Sequence, residues 1–271
     1  MAQISSKSLL AIAASLFLFA SGHTRADIGQ AIPEFGDLDR WTLFSLGGGR
    51  GFGWATGPTS IEGDIGLAGL GKFLIAGRAI VSGDIYVPAN GHVLVLDPAM
   101  VNGSIFPDQD ALLDNGVNEA LAAAAAAAGL TPNRSNNTIR LHGAQNVTIT
   151  GAPGETVVLD LKNFALRGDS SFTLAGTATT NFVINISRRF ALRGRSHIDL
   201  AGLQWNQVLF NVISNGQRAI IGGSSVFNGI LMANNRTIEI RRNSISSGEF
   251  IGNRIKLNRS PTVTHPPVLS P

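Results

Sequence analysis

Arginine is the residue type whose spacing in this sequence could do chemistry. Arg167 and Arg193 occupy the same place in two copies of the segment FALRG, at 164–168 and 190–194. Arg218 and Arg241 follow in the neighbouring segments. A guanidinium group holds a carboxylate or a phosphate through paired hydrogen bonds. We therefore predict that these four arginines bind a polyanion such as an acidic polysaccharide; the alternative is a solvated face that prevents aggregation at strand edges.

Signals for catalysis and for metal binding are weak. The sequence contains no Cys, which excludes a disulfide framework and a thiol nucleophile. The histidines at positions 92, 142, 197 and 265 have no second histidine two or four residues away. Asp64 and Asp84 share a repeat position as paired carboxylates would, but an aspartate after glycine more often caps a turn. We expect no enzyme activity, no metal and no cofactor.

Short repeats indicate that these residues stand on stacked strands. The segment 61–66 (IEGDIG) recurs 20 residues later at 81–86 (VSGDIY) and again 20 residues later at 101–106 (VNGSIF). A step of this length forms about three short strands with tight corners, which is one coil of a β-solenoid. In such a coil, inward apolar side chains stack on those of the next coil about 4.8 Å away. A second set of repeats, with a longer step, runs from 164 to 202.

An alanine-rich segment separates the two sets of repeats. Pro107 and Asp108 favour the start of a helix, and Gly129 favours its end. Seven consecutive alanines precede Gly129, so one side of the helix is small enough to lie close against a sheet. We predict a helix at about 107–129; the alternative is a flexible spacer.

The N-terminal segment 1–26 has the pattern of a secretory signal peptide. Lys7 supplies the positive charge, and 9–20 is an apolar run of twelve residues, which is too short to span a bilayer as a stable helix. We predict that 1–26 is a signal peptide and that 27–271 is a single domain, secreted or otherwise extracytoplasmic. The alternative is an uncleaved membrane anchor. We expect no transmembrane segment after removal of the signal and, because of export, no nucleic-acid partner.

Charge is divided unevenly along the chain. Residues 27–132 hold 4 basic and 12 acidic residues, net −8, whereas 133–271 hold 15 basic and 6 acidic residues, net +9. Charge separated in this way on an elongated body attracts an acidic polymer or the opposite end of a second copy. The sequence therefore predicts salt-sensitive self-association or binding of a polyanion.

The segment 56–66 (TGPTSIEGDIG) resembles the opening signature of the ice-binding-like β-solenoid family of bacteria and microbial eukaryotes. The order of elements is similar too, with a few coils, one long inserted helix and further coils. Segments 208–212 and 226–233 resemble the family's final coils and those of a related group of exported proteins with interchangeable anchors. The resemblance implies an all-β fold with one long α-helix, a right-handed three-faced β-solenoid with the helix packed alongside.

The resemblance also implies that one flat face of the solenoid does the binding. Ice binders of the family expose rows of Thr, Ser, Ala and Gly there, and this sequence departs from that pattern. Long cations stand at positions expected to face outward, and the threonine runs 148–150 and 177–180 do not recur at the coil step. We therefore expect first an exported, non-enzymatic binding or scaffold protein of the cell surface or matrix. The alternatives are an ice-binding (antifreeze) protein and, despite its missing acid cluster, a polysaccharide lyase-like enzyme.

Overall fold

The computed structural model describes residues 36–47, 53–69, 71–135 and 137–267. Their strands run parallel to one another and wind around an apolar core, and one α-helix lies outside the strands. After a 3-10 turn at Gly36–Arg40, the first strands are β1 (Trp41–Ser45), β2 (Gly53–Thr56), β3 (Ser60–Glu62), β4 (Asp64–Leu67), β5 (Lys72–Ala76), β6 (Ile80–Val81), β7 (Ile85–Tyr86), β8 (His92–Val95), β9 (Met100–Val101) and β10 (Ile105–Phe106).

The second part of the chain begins with the helix α1 (Asp110–Gly129). The strands that follow are β11 (Thr138–Leu141), β12 (Asn146–Thr150), β13 (Thr156–Gly168), β14 (Ser171–Ala175), β15 (Asn181–Gly194), β16 (His197–Ala201), β17 (Val208–Val212), β18 (Ala219–Ile221), β19 (Val226–Arg241), β20 (Ile245–Asn258) and β21 (Thr262–Thr264). A short 3-10 turn at Trp205–Gln207 precedes β17.

Every strand pairing is parallel, and successive strands lie on three different faces. β1, β2 and β3 form one turn around the axis, and β4, β5 and β6 repeat it one rung away. The longest strands bend around corners, so β19 and β20 pair along most of their length across all three faces. The predicted fold class, an all-β solenoid with one long helix alongside, is confirmed.

The coils do not stack in the order of the sequence. The coil β1–β3 lies between β20–β21 on one side and β4–β6 on the other. The coil β8–β10 lies at one end of the stack, and β11 and β12 lie at the other. The chain must therefore return from one end to the other. The described strands form nine rungs on each face, which span about 38 Å, and the 20 residues of α1 cover about 30 Å of that distance.

The repeats seen in the sequence are the rungs of the core. Ile65 pairs with Ile85, and Ile85 with Ile105, at the constant step of the first set. In the second set, Phe164 stacks on Phe190 with ring centroids 5.6 Å apart. Further phenylalanines continue this column at positions 210, 227 and 250. Full burial of each ring contributes about 1.5–3 kcal/mol, so the aromatic column is a main source of stability.

Helix α1 covers the face that contains β1, β4, β7, β10 and β17, which we call the helix face. Its small buried residues Ala120, Ala123 and Ala127 let it lie close to the strands. Three outward asparagines of successive rungs donate hydrogen bonds of 2.9–3.0 Å from Nδ2 to carbonyls of α1: Asn185 to Ala127, Asn211 to Ala124 and Asn234 to Ala120. These bonds fix the helix along the solenoid.

The helix begins at Asp110, later than the expected Pro107. Asp108 has a φ of 58°, a left-handed conformation that cannot belong to a right-handed helix. Its end at Gly129 agrees with the expectation. In the described ranges, no helix is both long and apolar enough to cross a membrane. Residues 1–26 lie outside the described residues, so the signal peptide stays a prediction.

Candidate binding faces

Two faces of the solenoid are left uncovered by the helix. The basic face consists of β2, β5, β8, β11, β18 and the last parts of β13, β15, β19 and β20. The hydroxyl face consists of β3, β6, β9, β12, β14, β16, β21 and the first parts of β19 and β20. Alternate side chains of each strand point outward, so both faces present parallel rows of side chains.

One row of the hydroxyl face is made of short polar side chains. Strand pairing places Thr148 beside Thr173, and Ser247 beside Thr264. In order along the axis, the row is Thr148, Thr173, Asp199, Asn228, Ser247, Thr264, Glu62, Ser82 and Asn102. Because rungs are about 4.8 Å apart, polar groups repeat at that distance along a flat surface.

Hydrogen bonds between rungs hold several of these side chains in place. The hydroxyl oxygens of Ser247 and Thr264 are 3.1 Å apart. In the next row, Ser171 Oγ donates to Asn146 Oδ1 over 2.9 Å. Side chains that are already fixed lose little conformational entropy when a ligand binds, so this surface is preorganised.

In the described part of the hydroxyl face, no lysine or arginine points outward. The titratable side chains that it presents are those of Glu62, His197 and Asp199. Beside the polar row stand exposed apolar side chains, among them Ile80, Met100 and Ile245, which are 40%, 55% and 51% exposed. The face therefore offers hydroxyl, amide, carboxylate and aliphatic groups to water, without an outward lysine or arginine among its described residues.

The basic face has the opposite character. On five successive rungs, seven cations point outward: Arg167, Arg189, Arg193, Arg218, Arg241, Arg254 and Lys256. Glu239 is the single outward carboxylate on those rungs, all of whose strand residues are described. The rungs therefore carry a large excess of positive charge.

The four arginines singled out in the sequence all lie on the basic face, but in two rows. Arg167 pairs directly with Arg193. Arg241 lies two rungs further in the same row and covers Gly222, where an added Cβ would lie 3.0 Å from Arg241 Cγ. Arg218 precedes Ala219, which pairs with Ile238, and this register puts Arg218 in the row of Arg189.

Glu239 neutralises part of this charge. Its Oε2 accepts a hydrogen bond of 2.9 Å from Arg218, and its Oε1 accepts one of 3.1 Å from Arg241. Burial raises the pKa of Glu239, but the hydrogen bond from Arg218 and the charges of both arginines outweigh it, so the pKa ends below its ordinary value. Among the described residues, Arg167 and Arg193 form no such ion pair.

Arg193 lies between Arg167 and Arg241 in one row of the basic face. Burial lowers the pKa of its guanidinium, and the positive charges of Arg189, Arg241 and Arg167 lower it further. Its Nε is buried and has no hydrogen-bond partner in the described part of the chain. We call Arg167, Arg189, Arg193 and Arg241 the arginine cluster.

Two open clefts flank the basic face. One, of about 660 Å³, is lined by Arg241, Arg242 and Arg259 among others. The other, of about 320 Å³, includes Arg188 and Arg189. Both are open polar grooves, unlike the mostly apolar pockets that enclose small-molecule ligands.

The paired aspartates fasten one rung to the next. Asp64 Oδ1 accepts a hydrogen bond of 2.9 Å from the backbone N–H of Asp84, and Asp84 Oδ1 accepts one of 2.7 Å from that of Ser104. This geometry supports the structural interpretation of these residues over a catalytic one. Within the described ranges, no three His, Asp or Glu side chains gather as metal ligands do. His265 lies 3.3 Å from the buried Glu249.

The polar row of the hydroxyl face is the feature that the sequence analysis missed. Thr148 and its neighbour Thr173 are 25 residues apart in the sequence, whereas Ser247 and its neighbour Thr264 are 17 residues apart. A search for repeats at one fixed spacing therefore does not detect the whole row. The usable signal is local, because every member of the row except Ser247 stands next to an inward apolar residue such as Ile149.

Comparison with known proteins identifies a family model and several solved structures that match this chain. The model of the family described as Ice-binding-like matches residues 48–262. No curated protein matches the chain.

Several solved structures share the fold. An ice-binding protein from the Antarctic ascomycete Antarctomyces psychrotrophicus is 19% identical, with a TM-score of 0.55, covering 87% of this chain and 98% of its own. A glycosylated ice-binding protein from an Arctic yeast is 18% identical, with a TM-score of 0.59 and coverages of 89% and 97%. The DUF3494 domain of Shewanella frigidimarina ice-binding protein 1 is 16% identical, with a TM-score of 0.58 and coverages of 89% and 100%.

Proposed function

Since the chain belongs to the Ice-binding-like family, we propose that it binds ice, and that it does so through the hydroxyl face. The observation that carries this proposal is the polar row, in which polar side chains repeat on nine rungs of a face that the helix leaves uncovered and on whose described strands no lysine or arginine points outward. This ranks ice binding above the scaffold role that the sequence analysis placed first.

In the sequence, the arginines at outward positions favour the scaffold role over ice binding. A long hydrated cation on a binding face would disrupt an ice-like layer of water. In the structure, the predicted arginines at positions 167, 193, 218 and 241 lie on the basic face. The hydroxyl face is therefore compatible with ordered water, whatever the charge of its neighbour.

The mechanism follows from a rigid array of small groups. Rows along the axis repeat at about 4.8 Å, and outward positions along one strand repeat at about 7 Å. Hydroxyl and amide groups in the polar row hold water by hydrogen bonds, while Ile80 and Ile245 beside them present apolar surface. Because hydrogen bonds such as that between Ser247 and Thr264 fix the array, the bound water layer takes a regular spacing that can merge with an ice surface.

The remaining parts of the proposal concern chemistry and location. Both clefts are open grooves, unlike the enclosed pockets that hold small-molecule ligands, and we propose a binding protein without enzyme activity. An exported location accords with the predicted signal peptide at 1–26.

A pair of double variants tests the face. Thr148→Lys with Thr173→Lys places two cations on adjacent rungs of the hydroxyl face. The matched control, Thr138→Lys with Asn163→Lys, places two cations on the basic face in the same two coils. Both variants have the same net charge, and both sites are at least partly exposed.

Thermal hysteresis and the shape of single ice crystals are the measurements. We expect the wild type and the control to shape ice, and the hydroxyl-face variant to lose this activity while keeping its melting temperature. Absence of ice shaping by the wild type would refute ice binding. Equal loss in both double variants would refute the assignment to the hydroxyl face.

A further inference from the structure

We propose that the basic face is a second binding site, independent of the hydroxyl face, and that it takes a linear acidic polysaccharide lying along the solenoid axis. The arginine cluster forms its centre. Carboxylate or sulfate groups of the polymer bind the guanidinium groups, and this activity is distinct from the proposed binding of ice.

The geometry of the arginine cluster fits a polymer that runs along the axis. Arg167 and Arg193 stand on adjacent rungs, about 4.8 Å apart at the backbone, close to the length of one pyranose residue. Arg189 stands on the same strand as Arg193, about 13 Å away across the face. Ala165 and Ala191 lie in the row between the row of Arg189 and the row of Arg167 and Arg193. They are only 4% and 2% exposed, because longer side chains flank them on both sides. Guanidinium groups from both rows can therefore reach one chain.

The cluster is also incompletely satisfied in the protein alone. Arg193 Nε is buried without a hydrogen-bond partner among the described residues, which is unfavourable relative to a paired group. Crowding by Arg167, Arg189 and Arg241 adds repulsion, which is why the pKa of Arg193 is lowered beyond the effect of burial. An anionic group placed over the cluster would pair with the guanidinium groups and relieve the repulsion at the same time.

The absence of stacking surfaces favours a polysaccharide over a single-stranded nucleic acid. Proteins that bind single strands combine a basic groove with aromatic side chains on which the bases stack. On the five described rungs that carry the cations, no outward residue is aromatic. Trp54 stands on the next rung, and the Nζ of Lys256 already lies 3.7 Å from the centroid of its ring. Anionic groups, and not bases, are what this surface can recognise.

The experiment measures binding of alginate oligosaccharides, a polyuronate, by calorimetry at low salt. Neutral dextran of the same length and oligodeoxythymidine are the comparison ligands. We expect the wild type to bind alginate, to bind oligodeoxythymidine more weakly and not to bind dextran. Affinity for alginate should fall as salt rises, since the Debye length shrinks from about 10 Å at 0.1 M to about 3 Å at 1 M.

Two double variants separate the arginine cluster from net charge. Arg167→Gln with Arg193→Gln is expected to weaken alginate binding about tenfold, which corresponds to about 1.4 kcal/mol. The control, Arg78→Gln with Arg195→Gln, removes the same charge at exposed corners outside the cluster and is expected to leave affinity within about twofold. Arg167→Lys with Arg193→Lys keeps the charge but loses the paired hydrogen bonds, so an intermediate loss is expected.

Three results would overturn the proposal. These are no alginate binding by the wild type at low salt, equal losses in the cluster and control variants, and binding of oligodeoxythymidine as tight as that of alginate. Melting temperatures identify any variant that fails to fold, and the lysine variant then decides. Ice shaping by the cluster variant should match that of the wild type, so failure of this proposal is distinguishable from failure of ice binding.

Discussion

Replacing Glu249 by glutamine is expected to stabilise the protein more at neutral pH than at acidic pH. Glu249 is fully buried at the edge of the helix face, where Trp205 lies against Gly248 and His265. Its Oε1 lies 3.3 Å from His265 Nε2. Its Oε2 has no hydrogen-bond partner within the described part of the chain. The fold thus encloses a carboxyl group without the partners that an ionised form needs.

The direction of the effect follows from two pKa shifts. Burial raises the pKa of Glu249 well above its ordinary value of 4.5, and the charge of Asp39 adds to this rise. Burial lowers the pKa of His265, against a smaller opposite effect of Asp64. Both shifts favour the neutral forms, so we expect the contact to be a hydrogen bond between uncharged groups. Because the pKa of Glu249 is higher in the folded state than in the unfolded state, this group loses stabilising effect as pH rises above about 4.5.

The size of the effect is bounded by the proton that Glu249 releases. One proton gives a slope of at most about 1.4 kcal/mol per pH unit, so from pH 5 to pH 7 the variant gains at most about 2.7 kcal/mol over the wild type. For a protein of this size, this corresponds to a relative rise in Tm of about 5–10 °C at the upper bound. Glutamine keeps the shape of the side chain and has no proton to release.

Urea unfolding followed by circular dichroism at pH 5 and pH 7 measures the difference. The control is Glu62→Gln, the same change at an exposed side chain, for which we expect a change within about 0.5 kcal/mol at both pH values. A Glu249→Gln variant that is destabilised equally at both pH values would refute the reasoning. It would mean that Glu249 is ionised in the folded protein and held by a protonated His265.

Four further predictions concern the helix, the coils and the charges. Asn211→Ala should lower the free energy of unfolding in urea by about 1–3 kcal/mol, because it leaves the Ala124 carbonyl and Asn185 Oδ1 without this donor. Gly116→Ala should be destabilising by up to about 2 kcal/mol in the same assay, since the new Cβ would lie 2.7 Å from Phe44 Cζ and overpacking outweighs the gain in helix propensity. Thermal unfolding should show one transition, because β1–β3 pair with β20 and β21 and join the two sets of coils; two transitions would contradict this. Sedimentation should show association at low salt that disappears at about 1 M, because the acidic first coils and the basic later coils occupy opposite parts of the stack.

The sequence by itself determined the local structure of this protein. In a parallel stack, each residue meets the residue at the equivalent position of the next rung. A coil that repeats at a constant length therefore shows its register directly, as Ile65 and Ile85 do. The start and the end of α1 follow from residues near its ends, and only Asp108, with its left-handed backbone, moved the start. The aspartate ladder at Asp64 and Asp84 is equally local, since each carboxylate binds the backbone of the next rung.

Only the tertiary structure decided which residues share a face and what surrounds them. The coil that begins at Thr148 is longer than the coil that begins at Ser247. Each corner that gains or loses a residue changes the spacing between neighbouring members of a row, so the row cannot be followed along the sequence at a constant spacing. The separation of the arginines from the polar row depends on the turn of the chain around the axis. The ion pairs of Glu239 with Arg218 and Arg241 join side chains whose contact could not be predicted from the sequence repeats. The order of the coils depends on the direction in which α1 returns, which is set by its packing against the helix face.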